Sequence, residues 1–241
     1  MTINHLAFDL LAYFAAALVT MVVSRRMSSP VPKPRNTAYL LVLTQGVIIG
    51  SVVLGSANLW LSGVTGVLGK SILGAICGGI VAIEIFKRHW QIHGSTGARM
   101  VPGLLVGIMI GRLGCFQAGL SDQTYGVATH GPWAVDFGDG VLRHPVQLYE
   151  CLAMGMLLAG ILLLWPGSSR TLRHWLQSNG FYLFALYYAL QRFCWEFLKP
   201  YATLLGPLNL FHLVCAALAA YALFMLSRSS PQHHLATESS A

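Results

Sequence analysis

Charge is what this chain has least of. Only 10% of its 241 residues are Asp, Glu, Lys or Arg, and eight of those are acidic. Hydrophobic residues make up 55% and the mean hydropathy is +0.62, which excludes an ordinary soluble domain with its charged fraction of about 25%. Also missing are the GxSxG, HExxH and P-loop patterns, so neither a soluble-type hydrolase nor a nucleotide hydrolase is supported. The five cysteines, Cys77, Cys115, Cys151, Cys194 and Cys215, have no CxxC spacing and no histidine at ligand spacing, and the nine histidines form no cluster. No metal and no other cofactor is therefore expected. All five cysteines fall in or at the ends of apolar runs and read as small buried hydrophobes. His89, His93 and His174 read as loop residues. No internal repeat of the transporter kind is present.

What the chain does have is long apolar runs that approach the roughly 20 residues needed to cross a bilayer. They predict an all-α integral membrane protein with seven spans, near Leu6–Val23, Tyr39–Leu61, Ile72–Phe86, Met100–Phe116, Val146–Trp165, Phe181–Leu198 and Leu208–Leu226. Residues 1–228 form one transmembrane domain on this reading, Pro30–Arg35 a loop, and 229–241 a flexible cytoplasmic tail. The third and fourth spans are short and rich in glycine, which permits close helix contact or a bent, re-entrant path. No charged n-region precedes Leu6 and no small-residue cleavage site follows the first run at Ser24-Arg25-Arg26, so that run is expected to be a retained helix.

Basic residues give the orientation. Arg25, Arg26, Lys33 and Arg35 put the first loop in the cytoplasm, the N-terminus outside and, after seven spans, the C-terminus inside. Ten of the fifteen Lys and Arg then fall on the cytoplasmic side. The net charge of +7 is thus mostly topological, facing anionic lipid headgroups, and no nucleic acid partner is needed to explain it. The outer five, Lys70, Arg112, Arg143, Arg192 and Lys199, have no such explanation. They share their side with Asp9, Asp122, Asp136, Asp139, Glu150 and Glu196. Charge in a spanning helix costs roughly 2.5–3.5 kcal/mol on insertion scales and marks function, so a polar site opening toward the outer leaflet is expected.

Spacing sharpens this. Tyr188, Arg192 and Glu196 recur every fourth residue and share one stripe of the sixth span. Arg192 and Glu196 alone would read as a self-neutralising pair; Tyr188, one turn deeper, is not required by neutralisation. Gly131 to Gly140 alternates apolar residues and ends in an Asp139-Gly140 turn, which predicts a short hairpin, with Trp133 at the interface. His144, just before Pro145, reads either as a hydrogen-bonding residue at a helix start or as a base.

Gly111-Arg112-Leu-Gly114-x-Phe116, then Tyr125-Gly126, His144-Pro145-x-Gln147-Leu148-Tyr149-Glu150 and Arg192-Phe-x-x-Glu196-Phe together resemble the signature of the prolipoprotein diacylglyceryl transferase family, over most of the chain. The resemblance implies a multi-pass enzyme of the bacterial inner membrane. It would move the diacylglyceryl group of phosphatidylglycerol to the thiol of a lipobox cysteine in a prolipoprotein and release glycerol phosphate. By this analogy Arg112 and Arg192 hold the headgroup phosphate, whose geometry suits the guanidinium fork. Gly126 lets a loop approach closely, and Glu150 and Glu196 orient the arginines. Tyr188, Gln147, Arg143, His144 and Asp122 join the substrate-binding candidates.

The chain departs from the family pattern in particular places. Lys70, in Gly69-Lys70-Ser71-Ile72-Leu73-Gly74, stands where the family has a histidine; it could bind phosphate, act as a base if desolvated, or snorkel to water. Cys115 replaces an asparagine, the acidic position is shifted to Asp122, and Phe8 takes the place of a tyrosine, with Tyr13 more than a turn away. The arginines persist while the residues nearest the acceptor change. Transfer to another acceptor, or binding or transport of phospholipid without chemistry, therefore stand as alternatives.

Overall fold

Seven α-helices form in the computed structural model, which describes residues 3–25, 27 and 29–228. They are α1 (Ile3–Ser24), α2 (Asn36–Leu61), α3 (Ile72–Trp90), α4 (Val101–Ala118), α5 (Val146–Leu164), α6 (Arg170–Glu196) and α7 (Leu210–Arg228). Arg26 and the expected tail at 229–241 lie outside the described residues. Helices α1, α2, α4, α5 and α7 are long and apolar enough to cross a membrane, and the chain is a multi-pass, all-α membrane protein. Leu10, Phe14, Ile48, Ile49, Val53 and Leu163 are exposed on the outside of the bundle, as expected of side chains whose solvent is lipid.

Helix α3 continues past the expected Phe86 to Trp90, because Lys87, Arg88 and His89 suit the negative end of a helix dipole. Its chain reverses at Gln91, at φ 51°. His89 therefore sits in a helix, as does His174. Helix α6 starts eleven residues before the expected Phe181. Its first turns are polar, and Ser169 caps them by accepting from the backbone N–H of Leu172 at 3.2 Å, the ordinary N-cap bond. A hydropathy reading sees only the apolar later turns.

Packing centres on α4, which contacts α1, α5 and α6, while α2 packs on α3 and α6 on α7. The expected close contact is found between α2 and α3: a Cβ on Gly50 would sit 2.7 Å from the Cα of Gly78, so only glycine allows the backbones this near. Leu73, Ile76, Leu105, Ile108, Met154, Phe184, Ala185 and Leu218 form the apolar core. The cysteines correct the earlier expectation. All are free, but only Cys215 is buried; Cys77, Cys115 and Cys151 are partly covered and Cys194 is exposed, since a thiol is apolar enough to face lipid.

Two small hairpins close one end. Strands β1 (Val135–Asp136) and β2 (Leu142–Arg143) pair antiparallel, Val135 opposite Arg143, as the Asp139-Gly140 turn predicts. Strands β3 (Thr203–Leu205) and β4 (Leu208–Asn209) also pair antiparallel. This second hairpin was not expected, being hidden between two apolar runs; Gly206, at φ 56°, makes its turn.

Candidate functional site

The last turns of α4 and α6 and the first turn of α5 converge on one buried ionic cluster. Helix α4 supplies Arg112, α5 supplies Glu150, and α6 supplies Arg192 and Glu196, followed by Lys199 in the segment leading to β3. Glu150 is the hub. Its Oε1 accepts from Arg192 Nη1 at 2.5 Å and from Lys199 Nζ at 2.7 Å, and its Oε2 pairs with Arg112 Nε. Glu196 Oε1 pairs with Arg192 Nη2 at 2.5 Å and, more loosely, with Lys199 Nζ at 3.7 Å. None of the five is more than 5% exposed. Ions so far from water cost several kcal/mol each unless paired, so pairing is obligatory here. It is also incomplete, because three cations face two carboxylates.

The surroundings add polar atoms with unused capacity. Among the described residues, Tyr188 Oη, Arg192 Nε and both amide atoms of Gln147 make no hydrogen bond within the protein, although Tyr188 and Gln147 are fully buried. Tyr188 lies within electrostatic reach of Arg112 and Arg192, and the Arg192 guanidinium carbon sits 5.4 Å from the centre of the Phe211 ring. A net positive cluster with donors to spare is suited to an anion, above all one with the geometry of phosphate.

Sequence reading missed part of the support. Asn209, at the end of β4, donates through Nδ2 to Glu196 Oε2 at 3.2 Å. It also caps α7: its Oδ1 accepts from the His212 backbone N–H, and His212 Nδ1 accepts from the Asn209 backbone N–H, both at 3.1 Å. This is a capping box with histidine in the usual Glu or Gln position. A polar residue three before a histidine at the start of an apolar run was the available signal. For Lys199 the signal was an outer-side cation three residues after Glu196.

The remaining candidates are distributed around the cluster. Gly126 is buried where its N–H donates to the His144 carbonyl at 3.0 Å, and Val127 N–H donates to the Leu198 carbonyl at 2.7 Å. A Cβ on Gly126 would come within 2.6 Å of that His144 oxygen, so glycine is required for this loop to lie against the start of α5. Asp122 accepts from Thr124 Oγ1 at 2.5 Å and hydrogen-bonds the Cys115 thiol, whose sulfur is 3.9 Å from Arg112 Nη1. Cys115 thus lies between the cluster and the following loop. Phe8 packs on Gly114, whereas Tyr13 faces outward.

Arg143 and His144 belong to the first hairpin. Arg143 makes a bidentate pair with Asp139, at 2.6 and 2.8 Å, which raises the arginine and holds the carboxyl below its ordinary range through that hydrogen bond. His144 Nδ1 is 3.4 Å from Trp133 Nε1 and 3.1 Å from Tyr149 Oη. An indole N–H only donates, so Nδ1 accepts and the imidazole proton belongs on Nε2. Lys70 is exposed at the start of α3, and no ion pair or hydrogen bond among the described residues joins it to the cluster. Among those residues, no three His, Cys, Asp or Glu side chains converge as metal ligands.

A family profile described as prolipoprotein diacylglyceryl transferase matches residues 6–228. The chain belongs to that family. It is 28% identical to a phosphatidylglycerol–prolipoprotein diacylglyceryl transferase of Campylobacter lari over 78% of this chain and 74% of the relative. A relative of the same name from Nitratidesulfovibrio vulgaris is 31% identical over 79% and 72% of the two chains. One from Idiomarina loihiensis is 34% identical, over 59% of this chain and 52% of its own length.

Proposed function

We propose that the protein transfers the diacylglyceryl group of phosphatidylglycerol to the cysteine thiol of a prolipoprotein, and that the Arg112, Arg192 and Lys199 cluster is where the lipid phosphate is held. The observation that carries this is the count of buried charge: three cations against two carboxylates leave one positive charge, which a phosphodiester of charge −1 balances. In the reaction the thiol sulfur attacks the glycerol carbon that bears the phosphate ester. A carbon–sulfur bond forms, the carbon–oxygen bond breaks, and the thiol gives up its proton. The phosphate leaves as a monoester and gains a second negative charge. Cations arranged in advance around that phosphate act most strongly as this charge develops, which is the condition for catalysis rather than mere binding.

Within this reading Glu150 and Glu196 are positioning residues that hold the guanidinium groups, and Asn209 holds Glu196. Tyr188 and Gln147 point their unused hydrogen-bonding atoms at the lipid headgroup. Asp122, Gly126, Arg143 and His144 shape the loop and hairpin over the acceptor side, and Lys70 stays outside the phosphate grip. The seven helices each span the membrane, with the N-terminus outside and the C-terminus cytoplasmic. Residues 1–228 act as one domain in a bacterial inner membrane. The bias of basic residues and the grouping of the outer acids support that orientation.

The test is direct. Purified protein is incubated with phosphatidylglycerol and a lipobox peptide, and mass spectrometry follows the diacylglyceryl thioether and released glycerol phosphate. Both products are expected, and Arg112→Ala and Arg192→Ala each abolish them. Release of glycerol phosphate without thioether would move the acceptor to water or another group; absence of both products would overturn the assignment.

A further inference from the structure

A second basic recess lies at the other end of α4. Arg99 precedes Arg112 by thirteen residues, roughly 20 Å at 1.5 Å per helical residue, so the recess is separate from the ionic cluster. It has a volume of about 390 Å³ and is lined by Ser29, Val31, Lys33, Asn36 and Arg99. Three polypeptide segments meet there: the α1–α2 connection, the first residue of α2 and the short turn before α4.

Its chemistry is one-sided. Lys33 and Arg99 are cationic, Asn36 carries an amide donor, and no acidic residue is in the lining. Among the described residues no carboxylate pairs with Lys33 or Arg99, and Arg99 Nε is buried without a hydrogen-bond partner. Ser29 Oγ accepts from the Val31 N–H at 3.2 Å, which leaves its O–H free to donate. The neighbouring Arg35 is occupied, donating to the Trp90 carbonyl at 3.3 Å and lying 4.1 Å from the centre of its ring. Lys33 and Arg99 are thus the unengaged pair. Val31 is buried beside them, giving the recess an apolar edge as well as a cationic one.

We infer that this recess binds a phosphate group at the membrane surface, carried by a phospholipid headgroup or free in solution. Lys33 and Arg99 supply the charge, with Ser29 and Asn36 as neutral donors. The inference does not draw on the transferase reading and stands or falls separately from it.

Native mass spectrometry of the full-length protein in detergent tests it, with phosphatidylglycerol and inorganic phosphate as separate probes. Lys33 is exposed, so Lys33→Glu is expected to fold; an unchanged thermal unfolding midpoint in the same detergent checks this, and Lys33→Ala supplies a milder variant. Apart from any equivalent lost on Arg112→Ala, one bound equivalent of a probe is expected to weaken about tenfold or more in Lys33→Glu and Arg99→Ala, the effect of losing a charge-assisted contact. Loss seen with phosphatidylglycerol but not phosphate identifies a lipid headgroup; loss with phosphate alone identifies the free anion. Unchanged binding of both probes in both variants overturns the proposal.

Discussion

Two polar clusters sit at different depths of the same bundle, and they close their charge differently. Around Glu150, three cations meet two carboxylates. Around Glu84, Lys87 Nζ donates at 2.9 Å and Tyr221 Oη at 3.0 Å, so one carboxylate meets one cation. Tyr221 is twelve residues along the chain from Asn209, roughly 18 Å of helix. Tyr39, Ser95, Thr96 and Tyr182 are among the residues that line a cavity of about 50 Å³ beside Glu84. The Glu84 cluster is neutral without a ligand and holds α3 to α7. The Glu150 cluster also joins helices, but its excess charge is a feature that structure alone does not require. Glu84 is only partly buried and Glu150 fully so, and the charge balance separates a fastening from a site.

The largest expected difference is in stability. Glu150→Ala leaves three buried cations without their shared partner, and loss of one member of a buried pair costs about 3–5 kcal/mol. Glu84→Ala, whose side chain is a third exposed, is expected to cost about 1 kcal/mol. Thermal unfolding in one detergent compares them, and equal losses would break the distinction. Next in size is turnover: Arg192→Lys keeps the charge but loses the fork, and lipidation is expected to fall about 100-fold. Lys87→Met should leave it within about twofold, because that cation meets only its own carboxylate.

A hydroxyl pair sharpens the contrast. Tyr188→Phe removes an oxygen with no partner in the protein, so stability should move by less than about 0.5 kcal/mol while lipidation falls about tenfold. Tyr221→Phe removes a bonded oxygen, and the opposite is expected: about 1 kcal/mol of stability lost with lipidation intact. Lys70→Ala should change stability by less than about 0.5 kcal/mol and retain turnover; a collapse of turnover with an altered pH profile would instead make Lys70 the base. The smallest effect belongs to the hairpin. Hydrogen bonding to Arg143 depresses Asp139, so this stabilisation is fully present above the unfolded carboxylate value of about 3.9. It is lost as pH falls through the lower folded value. The Asp139 and Arg143 NMR signals should shift together in that acid range, and independent titration would refute the linkage.

Much of this was legible in the sequence because the membrane simplifies the code. Apolar runs located the seven helices, and charges inside them singled out Arg112, Glu150, Arg192 and Glu196, which the fold brings into contact. The polar start of α6 escaped because hydropathy registers burial in lipid rather than helix formation. Lys199 was counted among the outer cations but given no place in the site, and Asn209 escaped altogether, for another reason: each meets the cluster from outside a helix, where no periodicity announces it. Lys70 and Arg143 were grouped with the other arginines by side of the membrane, and His144 by its motif. That grouping fixes depth but not position around the bundle, and the structure puts Arg143 and His144 in a hairpin and Lys70 at an exposed helix start.

The hub at Glu150 also bears on how the chain enters the membrane. Helices α4 and α5 carry one charge each at the cluster, Arg112 and Glu150, and can be delivered to the bilayer as a matched hairpin. Helix α6 brings Arg192 and Glu196 four residues apart, matched within itself. Lys199 follows as the unmatched charge, at the end of α6 rather than within it. The helical units are therefore each close to electrically neutral, and the excess positive charge of the cluster is that of Lys199 alone. Biogenesis can insert the charges within the helices as matched pairs rather than as isolated ions in hydrocarbon, and leaves a single unmatched cation at the tip of α6, where the chemistry needs it.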